Sequence, residues 1–184
     1  MFEAYDNNNK CKVALKRTQK AGNIISREYE VLSKMKGKPN VVQLLDFFYT
    51  VDNKQRVIQN AVFEFCDNSL EDLLKDMEAK NEYMDIGQLK KIIKQLLNGL
   101  VHMHEQKIIH RDLKPENILI KDGQVKICDL GSSKVVDEAE HMNTPYVVSR
   151  YYRAPELILG VNKYDEKIDI WGKRLTLLMW YSCG

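Results

Sequence analysis

The sequence predicts an α+β fold, in which a small antiparallel sheet with one helix precedes a mainly helical region. β-Branched and aromatic runs predict three strands in the first part of the chain: 13–16, 47–49 and 61–65. A helical stripe of apolar residues at 24–35 follows the first strand and ends before Gly37 and Pro39. Residues 89–103 repeat apolar side chains at helical spacing, which predicts a long core helix.

Length and composition limit the classes of protein to consider. A chain of 184 residues can bury a sizeable core, and it predicts one domain or a piece of one. The net charge of +2 supports no nucleic-acid binding face. The longest apolar stretch, 175–181, is too short to span a membrane. The four cysteines are far apart and follow no secretory leader, so we expect reduced thiols and a cytoplasmic or nuclear protein: Cys11, Cys66, Cys128 and Cys183.

The strongest functional signal is the segment His-Arg-Asp-Leu-Lys-Pro-Glu-Asn at 110–117, followed by Asp-Leu-Gly at 129–131. Phosphoryl transfer from ATP requires oxygen ligands for Mg²⁺, a carboxylate near the attacking hydroxyl and positive charge near the phosphates. Asp112 is the candidate base, and Lys114 is a cation within reach of the transferred phosphoryl group. Asn117 and Asp129 supply oxygen atoms for a metal ion.

The segment between Asn117 and Asp129 predicts a β-hairpin. Two β-branched runs, 118–120 and 125–127, flank Asp-Gly at 122–123, which is typical of a two-residue turn. Counting outward from this turn places Asn117 opposite Cys128. The hairpin should therefore bring the two candidate metal ligands, Asn117 and Asp129, close together.

A lysine and a glutamate near the N-terminus form a second candidate pair. Strand alternation puts Ala14 and Lys16 on one face. Glu28 lies within the apolar stripe of the first helix, where a carboxylate is costly unless a cation meets it. Lys16 is the expected partner and would hold the ATP phosphates. The alternative is that Glu28 only extends to solvent.

These motifs resemble those of the eukaryotic protein kinases over residues 2–171. Ala-Pro-Glu at 154–156 matches the end of the activation segment, and Lys114 implies transfer to serine or threonine. The strings at 131–134 and 149–157 are most similar to those of glycogen synthase kinase-3, within the CMGC group of kinases. The resemblance implies a two-lobed fold, Mg-ATP, protein substrates and a monomer.

The resemblance also implies an adenine site. The backbone of Glu64 and Cys66 would bond the adenine, and Ala14 and Leu119 would enclose its ring. Phe63 would be the gatekeeper at the back of the site. An apolar strand residue such as Phe63 is also what a buried sheet requires by itself.

Three cations match the pocket in which the glycogen synthase kinase-3 family binds a phosphate on a primed substrate. They are Arg27, Arg111 and Lys134. Convergent cations suit any phosphate, including one on the protein's own loop. The alternative is that Arg27 and Lys134 are solvated surface charges.

Thr144 and Tyr146 are candidate phosphorylation sites in the activation segment. Tyr146 matches the tyrosine of the glycogen synthase kinase-3 family, whereas Thr-Pro-Tyr at 144–146 also resembles the switch of mitogen-activated kinases. The sequence leaves both modes of regulation open. Phosphorylation at either residue could order the segment against Arg111.

Both ends of the chain depart from the kinase pattern. Residues 1–66 resemble an N-lobe without its glycine-rich loop, 67–171 resemble part of a C-lobe without its last helices, and 172–184 diverge from the family. Two hypotheses therefore stand. The chain is a serine/threonine kinase, or it is a catalytically weak remnant that binds a phosphopeptide or partner.

Overall fold

The computed structural model describes residues 1–20, 27–136, 152–161 and 164–172, and it has the predicted α+β composition. Its N-terminal part is an antiparallel sheet with strand order β1-β2-β4-β3. The four strands are β1 (Phe2–Asp6), β2 (Cys11–Gln19), β3 (Leu44–Val51) and β4 (Val57–Glu64). The three predicted strands are confirmed and are longer than predicted, while β1 was not predicted.

The register of the sheet fixes which side chains face the cleft described below. Ala14 lies opposite Phe63, and Lys16 lies opposite Ala61. Because side chains alternate along a strand, Ala14 and Lys16 share one face, as predicted.

Helix α1 (Arg27–Lys34) packs against this sheet. The predicted helix began at residue 24, which lies outside the described part of the chain. Val31, Leu32 and Met35 are buried at 0–3% exposure, which confirms the apolar stripe. The chain leaves the helix through Gly37, whose φ of 76° is costly for other residues.

The C-terminal part is built on two helices, α2 (Leu70–Lys80) and α3 (Ile86–Glu105). Helix α3 confirms the prediction over 89–103. Helix α2 was missed, although Ser69 and Asp72 form a capping box at its start. In the part of the chain that the structure describes, no helix is long and apolar enough to cross a membrane.

Short strands lie next to α2, α3 and residues 110–117, the candidate catalytic segment. Strand β5 (Asn68–Ser69) pairs with β7 (Ile118–Lys121), which pairs with β8 (Gln124–Ile127). A second pair joins β6 (Ile108–Ile109) to β9 (Lys134–Val135). Among the described residues that follow are α4 (Pro155–Ile158) and a helix over 167–172.

One hydrophobic core joins the two parts of the molecule. It includes residues of α1, the sheet, α3 and the β7–β8 hairpin, with Val31, Phe63, Leu100 and Ile127 as representatives. A smaller cluster packs Ile109 with residues of α4 and the 167–172 helix. The sheet and the hairpin are therefore held against each other by continuous apolar packing.

Gly99 marks a close approach between α3 and the loop that follows α1. A Cβ at this position would lie 2.6 Å from the backbone oxygen of Asn40 and 2.8 Å from Cδ1 of Ile127. That oxygen also accepts a hydrogen bond from the Ile127 amide at 3.0 Å, so it cannot move away freely. We expect Gly99→Ala to destabilise the fold by about 1–3 kcal/mol, although alanine favours helices. Urea unfolding would measure this loss.

Lys94→Ala is the matched control for that prediction, because Lys94 is exposed on the same helix. Its expected effect on the free energy of unfolding is within about 0.5 kcal/mol. A Gly99→Ala protein as stable as the wild type would show that the contact with Asn40 relaxes without cost.

Candidate active site

A cleft of about 530 Å³ lies between the N-terminal sheet and the β7–β8 hairpin. All eight residues predicted to contact ATP line it: Ala14, Lys16, Glu28, Phe63, Glu64, Cys66, Leu119 and Asp129. Asn117 also lines the cleft. Val42 and Cys128 belong to the wall as well but were not selected from the sequence as site residues.

Lys16 is the central cation of the cleft. Its Nζ lies 2.7 Å from Oε1 of Glu28 and 3.1 Å from Oδ1 of Asp129. Burial by itself would lower the pKa of Lys16, but the hydrogen bond and charge of Glu28, joined by Asp129, outweigh burial and raise that pKa. Lys16 therefore remains an ammonium group. The predicted pairing of Lys16 with Glu28 is confirmed.

The β7–β8 hairpin positions the candidate metal ligands as predicted. Lys121 pairs with Gln124 across the turn, and the Cys128 amide donates to the Asn117 carbonyl at 2.9 Å. Asp129 follows directly with φ 57°, a left-handed conformation that turns the chain at the edge of the cleft.

The candidate catalytic segment groups Asp112, Lys114 and Asn117. The side-chain nitrogen Nδ2 of Asn117 donates to the backbone oxygen of Asp112 at 2.8 Å and to Oδ2 of Asp112 at 3.2 Å. Nζ of Lys114 lies 3.5 Å from the same Oδ2. These contacts fix the Asp112 carboxylate beside a cation and an amide.

The donor set fits Mg²⁺. Because Asn117 uses its amide nitrogen on Asp112, its carbonyl oxygen is the atom suited to a metal, and the Asp129 side chain is 48% exposed at the cleft. Within the described residues, no group of three or more His, Cys, Asp and Glu could hold a metal. A site with few protein oxygens suits Mg²⁺, which is commonly held partly by substrate phosphates.

Asp169 supports the catalytic segment, a role that the sequence analysis missed. Its carboxylate is 1% exposed and accepts from the amides of His110 and Arg111, both at 2.9 Å. Nε2 of His104 lies 2.9 Å from the same carboxylate. The available signal was a charged residue between Ile168 and Ile170 in an otherwise apolar stretch.

His110 connects the catalytic segment to the hairpin. The amide of Asp112 donates to Nδ1 of His110 at 3.2 Å, and Nε2 lies 2.9 Å from the Cys128 carbonyl. Because Nδ1 accepts, Nε2 carries the proton and donates to Cys128. The neutral imidazole thus ties Asp112 to the residue before Asp129.

The opposite end of the cleft is more apolar. Phe63 is 6% exposed, and Ala14 and Leu119 also line the wall there.

Burial raises the pKa of the Cys66 thiol to about 11, with the charge of Glu64 adding to the shift. Burial raises that of Cys128 to about 12, with a further contribution from Asp129. Both groups are therefore neutral thiols at physiological pH.

Of the three predicted phosphate-docking cations, Arg111 is the best defined. It is 5% exposed, and it donates through Nε to the Ser132 carbonyl at 2.7 Å and through Nη1 to the Tyr164 hydroxyl at 3.2 Å. Lys134 lies in β9, partly buried. The backbone of Arg27 begins α1, but its side chain lies outside the described part of the structure, as do Thr144 and Tyr146.

The lysine, carboxylates and amide gathered in the cleft are the kinds of group that phosphoryl transfer from ATP requires. The protein kinase domain family matches residues 1–181, and the chain belongs to the protein kinase family. Its curated relatives place it among the serine/threonine kinases, with similarity to the CMGC group.

Three relatives illustrate this similarity. A Dictyostelium discoideum protein named probable serine/threonine-protein kinase glkA is 40% identical over 172 residues, which are 93% of this chain and 34% of that protein. Protein kinase gsk3 of Schizosaccharomyces pombe is 39% identical over 163 residues, 87% of this chain and 42% of its own length. Mouse cyclin-dependent kinase-like 4 is 38% identical over 149 residues, 80% of this chain and 41% of its own length.

The chain thus spans about a third to a half of the length of curated relatives it matches.

Proposed function

We propose that this chain carries the catalytic centre of a protein serine/threonine kinase that transfers the γ-phosphate of ATP to protein hydroxyls. The observation that carries the proposal is the assembly of Lys16, Glu28 and Asp129 within 2.7–3.1 Å in one cleft. Asn117, which holds the Asp112 carboxylate, lines the same cleft. Stability alone would not require one lysine, three carboxylates and an amide to meet at a single cleft.

Each polar residue has a proposed role in the reaction. Lys16, held by Glu28, binds the ATP phosphates, and Asn117 and Asp129 hold Mg²⁺, which neutralises phosphate charge when bound. Asp112 orients the substrate hydroxyl and accepts its proton. Lys114, 3.5 Å from Asp112, stabilises the negative charge that develops on the transferred group.

The adenine is proposed to occupy the apolar end of the cleft. There Ala14 and Leu119 would enclose the ring, and the Glu64 carbonyl and Cys66 amide would bond its edge. Phe63 would close the rear of this space. The presence of all five residues in the lining of one cleft supports this assignment.

We further propose a preference like that of glycogen synthase kinase-3 for protein substrates already phosphorylated nearby. Arg111 supports this proposal because its guanidinium is held rigidly by Ser132 and Tyr164. Arg27 and Lys134 would complete the anion site, and phosphorylation of Thr144 or Tyr146 would regulate it. We expect a monomer in the cytoplasm or nucleus, with a lobe boundary near residue 66 and a divergent segment at 172–184.

The test is Mg-ATP-dependent transfer of labelled phosphate to a primed and an unprimed serine/threonine peptide. Asp129→Asn serves as the control, because it removes a proposed metal ligand while keeping the side-chain shape. Transfer by the wild type that is lost in Asp129→Asn would support the kinase assignment, and a primed preference would support the anion site. A folded, monomeric chain without transfer would favour the remnant that binds a phosphopeptide or partner.

A further inference from the structure

A largely buried carboxylate at the end of β4 lines the same cleft but lies outside the groups around Asp112 and Lys16. The side chain of Glu64 is only 11% exposed, so protein groups rather than water must satisfy most of its carboxylate. Its Oε1 accepts from the Gln43 amide at 3.0 Å and lies 3.1 Å from Nζ of Lys126, while Oε2 lies 3.2 Å from Nζ of Lys121. One carboxylate thus bonds the segment before β3 and both strands of the β7–β8 hairpin.

Gln43 extends this junction to the loop that follows α1. Its carbonyl accepts from the Glu64 amide at 3.1 Å, so the two residues bond each other twice. Its side-chain oxygen accepts from the Gly37 amide at 2.7 Å, and its Nε2 donates to the Lys38 and Val41 carbonyls at 3.0 and 2.8 Å. The side-chain amide of Gln43 therefore holds the loop that follows α1, the helix that carries Glu28.

The hairpin side of the junction leads to the proposed metal ligands. Lys121 and Lys126 belong to β7 and β8, which are flanked by Asn117 and Asp129. The side chain of Lys126 is 13% exposed, so its charge is poorly solvated without Glu64. The negative charge of Glu64 is balanced by Lys121 and Lys126, and the backbone N–H of Gln43 adds an uncharged donor.

We propose that Glu64 is a positioning residue that ties the loop after α1, the adenine-binding segment and the β7–β8 hairpin into one body, and that this junction sets nucleotide affinity. The inference rests on the proposed function for its nucleotide part. The backbone of Glu64 and Cys66 would bond the adenine, and Asn117 and Asp129 would lie at the phosphate end. The Glu64 side chain fixes the distance between these ends.

The test compares Lys126→Met, Lys126→Arg and Lys80→Met. Methionine keeps the buried methylene stem but removes the charge, and arginine retains it. Lys80 forms an ion pair of similar length with Asp76 on exposed α2, so Lys80→Met is the matched control. Hydrogen exchange of the Gly37 and Gln43 amides is measured without nucleotide, and Mg-ADP affinity is measured by calorimetry.

We expect Lys126→Met to accelerate exchange at both amides about 5- to 10-fold and to weaken Mg-ADP binding by a similar factor. Lys126→Arg should restore both values, and Lys80→Met should change neither. A general loss of stability would accelerate exchange in the core of α3 as well, whereas loss of the junction would accelerate it at the Gly37 and Gln43 amides and leave α3 unchanged. Rescue by arginine would attribute the effect to the charge.

Unchanged exchange in Lys126→Met would overturn the junction whatever the nucleotide result. Accelerated exchange with unchanged Mg-ADP affinity would overturn its role in nucleotide binding. If exchange accelerates but the folded wild type binds no Mg-ADP, the junction is supported and the proposed function fails. The exchange measurement thus separates the two proposals.

Discussion

Asp112→Asn is expected to lower the rate of phosphate transfer by about 100- to 10,000-fold, the range associated with a positioned general base. Asparagine has nearly the same shape, but it can neither accept the substrate proton nor carry the negative charge that faces Lys114. Its side-chain oxygen can still accept from the side-chain amide nitrogen of Asn117, which now donates to Oδ2 at 3.2 Å, so Asn117 keeps its position. The measurement is kcat for peptide phosphorylation at saturating Mg-ATP.

The Mg-ADP affinity of Asp112→Asn should show whether a lower kcat reflects lost catalysis or a misfolded protein. We expect the Mg-ADP affinity of Asp112→Asn to stay within about twofold of the wild type, because Asp112 is not a proposed ligand of the nucleotide. Asp122→Asn is the matched control, since Asp122 is exposed in the hairpin turn with φ 49°, which asparagine tolerates. More than a tenth of wild-type kcat in Asp112→Asn would contradict the role of Asp112 as the base.

The arrangement around the metal ligands was predictable because it depends on local geometry. Asp122 and Gly123 define a two-residue turn, and pairing outward from a turn follows from chain geometry alone. This pairing placed Asn117 opposite Cys128, and the structure confirms the contact. The Lys16–Glu28 pair was predictable for a different reason, since a carboxylate on an apolar helical stripe requires a compensating charge.

The supporting contacts were less predictable because they join residues far apart in the sequence. Asp169 is separated from His110 by 59 positions, and Glu64 from Lys121 by 57. No local period indicates which buried carboxylate meets which donor. Helix α2 was missed although its capping residue was visible, because its apolar stripe is short and interrupted by charges. Propensity and pattern identify elements, whereas tertiary contacts determine their partners.

Asp169→Asn is expected to destabilise the fold by about 2–4 kcal/mol, because it leaves at least one buried amide without an acceptor. Oδ1 and Oδ2 of Asp169 now accept from Arg111 and His110, and Nε2 of His104 is also within 2.9 Å. An asparagine presents only one oxygen, so its NH₂ group must face a donor. The loss corresponds to roughly 5–15 °C in Tm for a domain of this size.

The effect should extend to the catalytic segment. Arg111 has φ 70°, a left-handed conformation that costs a non-glycine residue about 1–2 kcal/mol and persists only where the surroundings impose it. The bond from the Arg111 amide to Asp169 is one such constraint. We therefore expect Asp169→Asn to lower kcat as well as Tm, even at temperatures where the protein remains folded.

Asp165→Asn controls for the chemical change alone. Asp165 has a side chain 46% exposed, and it accepts from the Lys167 amide at 3.0 Å near the start of the 167–172 helix. Asparagine serves this capping role well, so the expected change in Tm is small. Thermal unfolding of both variants would settle the comparison. Equal stability of the two proteins would mean that the His110 and Arg111 amides find other acceptors, and the left-handed turn at Arg111 would then need another cause.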